Sequence, residues 1–88
     1  MTREEILQKL ARDLEVRGRS PVTVHEYKKK IQMYQDYYDK PADQMGENEI
    51  INYLHYLAKG KGINPSTINT YNSALRFLYG VTLDTALN

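Results

Sequence analysis

The sequence has no cysteine. Disulfide staples, thiolate-held metals and cysteine nucleophiles are thereby excluded, and stability has to come from helix or strand packing. A reducing, cytoplasmic setting is the expectation. There is no long apolar run either. Met1-Thr2-Arg3-Glu4-Glu5 opens on two acids with no extended hydrophobic stretch behind them, so neither a signal peptide nor a membrane span is expected, and the protein reads as soluble. No segment sustains period-two alternation, which leaves no strand to assign. His25 and His55 are the only histidines, and neither belongs to a His-x-x-x-His pair or has a glutamate at zinc-helix spacing, so no metal site is expected. Gly60-Lys61-Gly62 lacks the further glycine, the lysine and the preceding strand of a phosphate-binding loop. No catalytic residue, cofactor or metal ligand emerges from any of these.

What is present fits one small domain. A chain of 88 residues supports a single core that buries about 60–65% of its unfolded surface. The net charge is only +1, so the positions of the charges matter more than their sum. Arg17, Arg19, Lys28, Lys29 and Lys30 face only Glu26 in the stretch 17–30, and Lys59, Lys61 and Arg76 stand in 51–83 without an acid. The acids gather at Asp36, Asp39, Asp43, Glu47 and Glu49. Two basic segments around an acidic connector could form one joint positive face, but on charge alone separate solvated helix surfaces are the expected reading.

Four helices can be read from local chemistry. Thr2-Arg3-Glu4-Glu5 has the form of a capping box, and Ile6, Leu7, Leu10 and Leu14 give the first stripe, with Gly18 as the stop at 17. Ser20-Pro21 places a capping serine before a proline suited to the first helical position. The stripe Val24, Tyr27, Ile31, Tyr34, Tyr38 then runs for about eighteen residues, or about 27 Å, until Lys40-Pro41 ends it. Gly46 or Glu47 opens a third helix with Ile50, Ile51, Leu54, Leu57 and Ala58 on its apolar side, closed by Gly60 and Gly62. Asn64-Pro65-Ser66-Thr67 repeats the polar-cap, proline-first signal, and Ile68, Tyr71, Leu75, Leu78 and Tyr79 form the last stripe before Gly80. Residues 81–88 read as a frayed linker. The expected fold is all-α, a compact four-helix bundle over 1–80.

Eight tyrosines need an account. Tyr27, Tyr34, Tyr38, Tyr71 and Tyr79 lie on the stripes and are expected to fill core volume, whereas Tyr37, Tyr53 and Tyr56 are not clearly placed. None has the base or arginine cluster that would make it a nucleophile. The informative feature is the polar start of helices two and four, because helix N-termini present free amides and a partial positive charge that suit phosphate. Helix two offers Arg19, Ser20, Thr23 and the run Lys28-Lys29-Lys30; the approach to helix four and the helix itself offer Lys59, Lys61, Asn64, Ser66, Thr67, Asn69, Thr70, Ser73 and Arg76. A helix side made of Ser, Thr and Asn is poor in helix propensity, yet it presents compact donors and acceptors that fit against base edges in a major groove. If helices two and four form one such surface, Lys28 and Arg76 should share its flank.

The segments Leu14-Glu15-Val16-Arg17-Gly18-Arg19-Ser20-Pro21-Val22-Thr23-Val24-His25-Glu26-Tyr27, Gly62-Ile63-Asn64-Pro65-Ser66-Thr67-Ile68-Asn69 and Ser73-Ala74-Leu75-Arg76-Phe77-Leu78-Tyr79 resemble the SAM-like, core-binding N-terminal domain of tyrosine recombinases and phage or transposon integrases. The likeness covers residues 3–83 in order. It implies a DNA-binding domain of a mobile-element recombinase that clamps one face of double-stranded DNA in a bacterial or phage cytoplasm, at the nucleoid, while a C-terminal catalytic domain of the same protein clamps the other. It also implies assembly with other recombinase protomers. The Arg, His-x-x-Arg and nucleophilic Tyr of that catalytic domain have no counterpart here, since His25 is followed by Glu-Tyr-Lys and His55 by Tyr-Leu-Ala. The chain is thus expected not to be an enzyme by itself, with 81–88 leading toward the catalytic domain. The alternative expectation is a helical protein-interaction module that mediates recombinase assembly. Where many relatives carry basic residues in mid-helix, this chain has Thr70-Tyr71, and Asn72 stands where an apolar residue is common.

Overall fold

A computed structural model describes residues 1–85. Within them lie α1 (Arg3–Val16), α2 (Pro21–Tyr38), α3 (Glu47–His55) and α4 (Pro65–Phe77), with a 3-10 turn at Ala42–Gln44 and no strand. Helices α3 and α4 each run on into one π-helical turn, Tyr56–Gly60 and Leu78–Thr82.

The starts of α1, α2 and α4 are each fixed by a side-chain cap. Thr2 Oγ1 accepts the Glu5 amide at 3.1 Å while Glu5 Oε1 accepts the Thr2 amide at 2.7 Å, the reciprocal box expected. Ser20 Oγ accepts from the Thr23 amide at 3.2 Å and Asn64 Oδ1 from the Thr67 amide at 2.9 Å, each beside a proline in the first turn. The helix ends agree less closely with the sequence reading. Asp39, in the left-handed region at φ 54°, closes α2 one residue before Lys40-Pro41. Gly62 is left-handed at φ 67°, but Gly60 lies inside the π turn, where a Cβ would come within 3.0 Å of the Tyr56 ring. Its role is close approach rather than a cap.

The core comes from all four helices. It holds Ile6, Leu7, Leu10 and Leu14 of α1; Val24, Ile31 and Tyr34 of α2; Ile50, Tyr53 and Leu57 around α3; and Ala74, Leu75, Leu78 and Tyr79 around α4. Helix α1 packs along α2 and receives the π turn after α4, while α4 packs on both α2 and α3. Two positions on α3 exchange roles relative to the expectation. Ile51 is 53% exposed and Tyr53 only 2%, because Tyr53 inserts among Tyr34, Tyr38 and Tyr71 at ring separations of 5.3, 6.5 and 6.3 Å.

A second departure concerns the stretch after Gly80. Residues 81–83 are not frayed: Thr82 is 3% exposed, Leu83 packs against the core, and the Lys9 ammonium donates to the Thr82 carbonyl at 2.8 Å. Val81-Thr82-Leu83 is too short to show a period, so its burial on α1 was invisible to pattern reading. The rest of the expected linker includes residues 86–88, which lie outside the described residues.

Buried polar groups tie the connector to the bundle. Tyr79 donates its hydroxyl to the Ala42 carbonyl at 2.8 Å, so Tyr34 donates to Tyr79 across 3.0 Å. Gln35, 1% exposed, accepts the Ala42 amide at 2.9 Å. Burial pushes the Tyr79 phenol up to about 12, which keeps it a donor through the physiological range. Tyr79→Phe should leave the Ala42 carbonyl without this donor at unchanged volume, costing about 2 kcal/mol and lowering Tm by about 10 °C in thermal denaturation. An unchanged Tm would remove the hydroxyl chain from the list of stabilising contacts.

Candidate nucleic-acid interface

Helices α2 and α4, whose starts carry the polar residues, are neighbours. Tyr27 meets Phe77 edge to face with ring centroids 6.1 Å apart, the Lys30 ammonium lies 5.4 Å from the Tyr71 ring centre, and the Tyr71 hydroxyl is 3.9 Å from Met33 Sδ. Contacts advance along α2 as they retreat along α4, so the two helices run in opposite senses. Tyr27, one and a half turns into α2, lies beside Phe77 at the end of α4, so the two N-termini are about 27 Å apart along the helix axes.

On α4, Ser66, Asn69, Thr70 and Ser73 are all exposed and follow i, i+3, i+4, i+7 spacing, which makes them one outward stripe. Thr70 turns its hydroxyl back to the Thr67 carbonyl at 2.6 Å. Ser20 and Asn64 accept the amides of Thr23 and Thr67, so their oxygens are engaged as caps; the Ser20 hydroxyl also reaches Thr23 Oγ1 at 3.1 Å.

The acids are distributed in a way the sequence did not reveal. Arg3 binds Asp36 at 3.1 Å and also Asp39; Lys9 binds Asp13 at 3.2 Å; Lys30 binds Glu26 at 3.2 Å. Arg19, Lys28, Lys29, Lys59 and Lys61 have no carboxylate within ion-pair distance among the described residues, and all but the half-buried Lys28 are exposed. Arg17 rests its guanidinium 5.6 Å from the Phe77 ring centre and donates to the Asp13 carbonyl at 3.1 Å.

Arg76 differs from the other candidates. Its two terminal nitrogens hold both oxygens of Glu47 at 2.8 and 2.9 Å, and its Nε donates to Asn72 Oδ1 at 3.2 Å. The polar residue at 72 is thus accounted for: it completes a clamp between α4 and the first residue of α3. The hydrogen bond from Arg76 holds the Glu47 carboxyl below the usual carboxylate range. A lowered folded pKa means that the clamp's stabilisation is present above about 4.3, the ordinary value, and is lost as pH falls through the lowered one.

Successive residues of a helix are turned by about 100°. With Tyr27 and Lys30 turned to α4, Lys28 falls on the α2 flank nearer α1, the side on which Gln35 reaches the Arg3 carbonyl. Arg76 sits on the α4 flank nearer α3. The expectation that Lys28 and Arg76 share a flank is not met. Lys29 and the Ser66-Asn69-Ser73 stripe occupy exposed positions of adjoining helices. Tyr37, Tyr53 and Tyr56, left unplaced by the sequence, gather around an open groove between α2 and the end of α3.

With this geometry in hand, comparison with known sequences is informative. The family described as phage integrase, N-terminal SAM-like domain, matches residues 6–88. The chain belongs to that family. It is similar to a protein of Sinorhizobium fredii (strain NBRC 101917 / NGR234) provisionally named an integrase/recombinase, with 32% identity over 77 residues. The alignment takes in 88% of this chain and 25% of that protein, so the chain spans about a quarter of the relative's length. No helix among the described residues is long and apolar enough to cross a membrane.

Proposed function

We propose that the chain is the DNA-binding, core-binding arm of a site-specific tyrosine recombinase, which holds one face of a duplex while a separate catalytic domain cuts and joins strands. The observation that carries this reading is the selective pairing of charge. Carboxylates occupy Arg3, Lys9, Lys30 and Arg76, while the remaining basic side chains, among them Arg19, Lys28, Lys29, Lys59 and Lys61, have no carboxylate partner among the described residues. Unpaired cations supply affinity through displaced counterions, and the Ser, Asn and Thr groups are of a size to meet base edges. The name of the Sinorhizobium fredii relative supports the recombinase setting. In this reading the residues after Leu83 lead toward the catalytic domain, other protomers are assembly partners, and the isolated chain has no strand-transfer activity.

Amide chemical-shift mapping with a short duplex tests the proposal, because residues 19–30 and 59–76 should respond while the exposed side of α1 should not. Lys28→Ala/Lys29→Ala should weaken binding about ten-fold or more at low salt, by loss of two phosphate partners, with Tm nearly unchanged. An equal loss of fold, or shifts confined to α1, would remove the basis of the assignment. Glu47→Gln releases the guanidinium of Arg76 and should steepen the salt dependence by about one counterion; an unaltered slope would mean that Arg76 faces no phosphate.

A further inference from the structure

The second half of α2, the end of α3 and the following π turn enclose an open groove of about 320 Å³. Tyr53 and Leu57, each 2% exposed, form its floor, and Met33 and Tyr37, 38% and 47% exposed, form its α2 wall. Tyr37 lies against Tyr56 with centroids 4.7 Å apart and planes tilted by 33°. A flat aromatic surface is therefore already partly stacked and open on one side.

Two observations point to what fills it. The first is hydrogen bonding. The hydroxyls of Tyr34, Tyr38, Tyr71 and Tyr79 all have partners, whereas those of Tyr27, Tyr37, Tyr53 and Tyr56 have none among the described residues, and the last three gather at the groove. Thr82 Oγ1 is the single side-chain oxygen sealed from solvent without a partner among those residues, so the hydroxyl of the otherwise buried Tyr53 opens on the groove. The second observation is charge. Asp36 at the rim shares the Arg3 guanidinium with Asp39, meeting it at 3.1 Å, while Lys61 at the rim has no carboxylate partner among the described residues. The groove thus offers apolar planes, unsatisfied hydroxyls and one cation open to an anion.

We infer that this groove takes an unstacked nucleobase, with Lys61 on the adjoining phosphate. A base has a flat apolar face for Tyr37, Met33 and Tyr56, polar edges for the tyrosine hydroxyls, and a negative charge one sugar away. An acidic peptide would meet the charge but not the requirement for a planar group with polar edges. The inference rests on the nucleic-acid reading above and extends it from the duplex to a base that has left the stack.

The test compares three labelled DNAs by fluorescence anisotropy at fixed salt: a perfect duplex, the same duplex with one unpaired base in the middle, and that duplex with an abasic residue in place of the unpaired base. One base stacked on aromatic side chains should tighten binding to the bulged duplex about ten-fold over the perfect one, and the abasic residue should abolish the gain. Tyr37→Ala should remove the gain without altering affinity for the perfect duplex, with a small fall in Tm because the ring also packs on Tyr38, Tyr53 and Tyr56. Tyr53→Phe, which keeps the ring, should lose part of it. Equal affinity for bulged and perfect duplexes, or a gain that survives the abasic residue or Tyr37→Ala, overturns the inference while leaving duplex binding intact. No binding to any of the three overturns both readings. A Tyr37→Ala effect on self-association alone, seen by sedimentation, would assign the groove to a protein partner and overturn it too.

Discussion

Raising monovalent salt from about 50 to about 200 mM should weaken duplex binding by about 500-fold, with log K falling against log salt at a slope of about −4 to −5. The figure follows from the five cations assigned to phosphates, Arg19, Lys28, Lys29, Lys59 and Lys61, which have no carboxylate partner among the described residues and would each displace about 0.9 counterion. Arg76 is left out of the count because Glu47 already satisfies both arms of its fork. The isolated net charge of +1 would not suggest so steep a dependence; the distribution does. Some acids are held in internal pairs, Glu47 by Arg76, and Asp36 with Asp39 by one shared Arg3. Isothermal titration or anisotropy at several salt concentrations reads the slope directly. A value near zero would mean that any binding is apolar or base-directed, and the proposed clamp would have no electrostatic foundation.

Leu10→Ala is expected to cost about 3 kcal/mol, a large share of the stability of a domain this small. Leu10 is fully buried in the middle of the α1 stripe, between Ile6 and Leu14, which are also at 0% exposure. Helix α1 is the element against which both α2 and the last π turn lean, so the vacated volume has backbone on two sides and little freedom to collapse. The expected fall in Tm is about 12–24 °C. Gln8→Ala, exposed on the same helix, should move it by no more than about 4 °C. If the two variants melt alike, α1 is not the spine of the core.

The elements most faithfully legible in the sequence are those whose signal is local. Thr2 with Glu5, Ser20 with Pro21 and Asn64 with Pro65 each act within one turn, and each begins a helix where expected. Periodicity served the long helices for the same reason: over 14 and 18 residues the apolar phase of α1 and α2 is well determined. Over the 9 residues of α3 it is not, and the choice between Ile51 and Tyr53 was made by the neighbouring tyrosines, which no local pattern encodes. The site was legible in residue type and only partly in arrangement. The caps and the α4 stripe can be read from spacing, but the Glu47 clamp joins positions 29 apart. The groove likewise needs Tyr37 and Tyr56 brought together by the fold.

Because α2 and α4 point in opposite directions, the gap between their starts is fixed by rigid rod length instead of by any loop. The pair is in effect a caliper whose opening is written in residues. Adding one turn to α4 would widen it by about 5.4 Å, more than one step along a DNA strand, so under the proposed clamp the element that carries the polar stripe would also set the gauge.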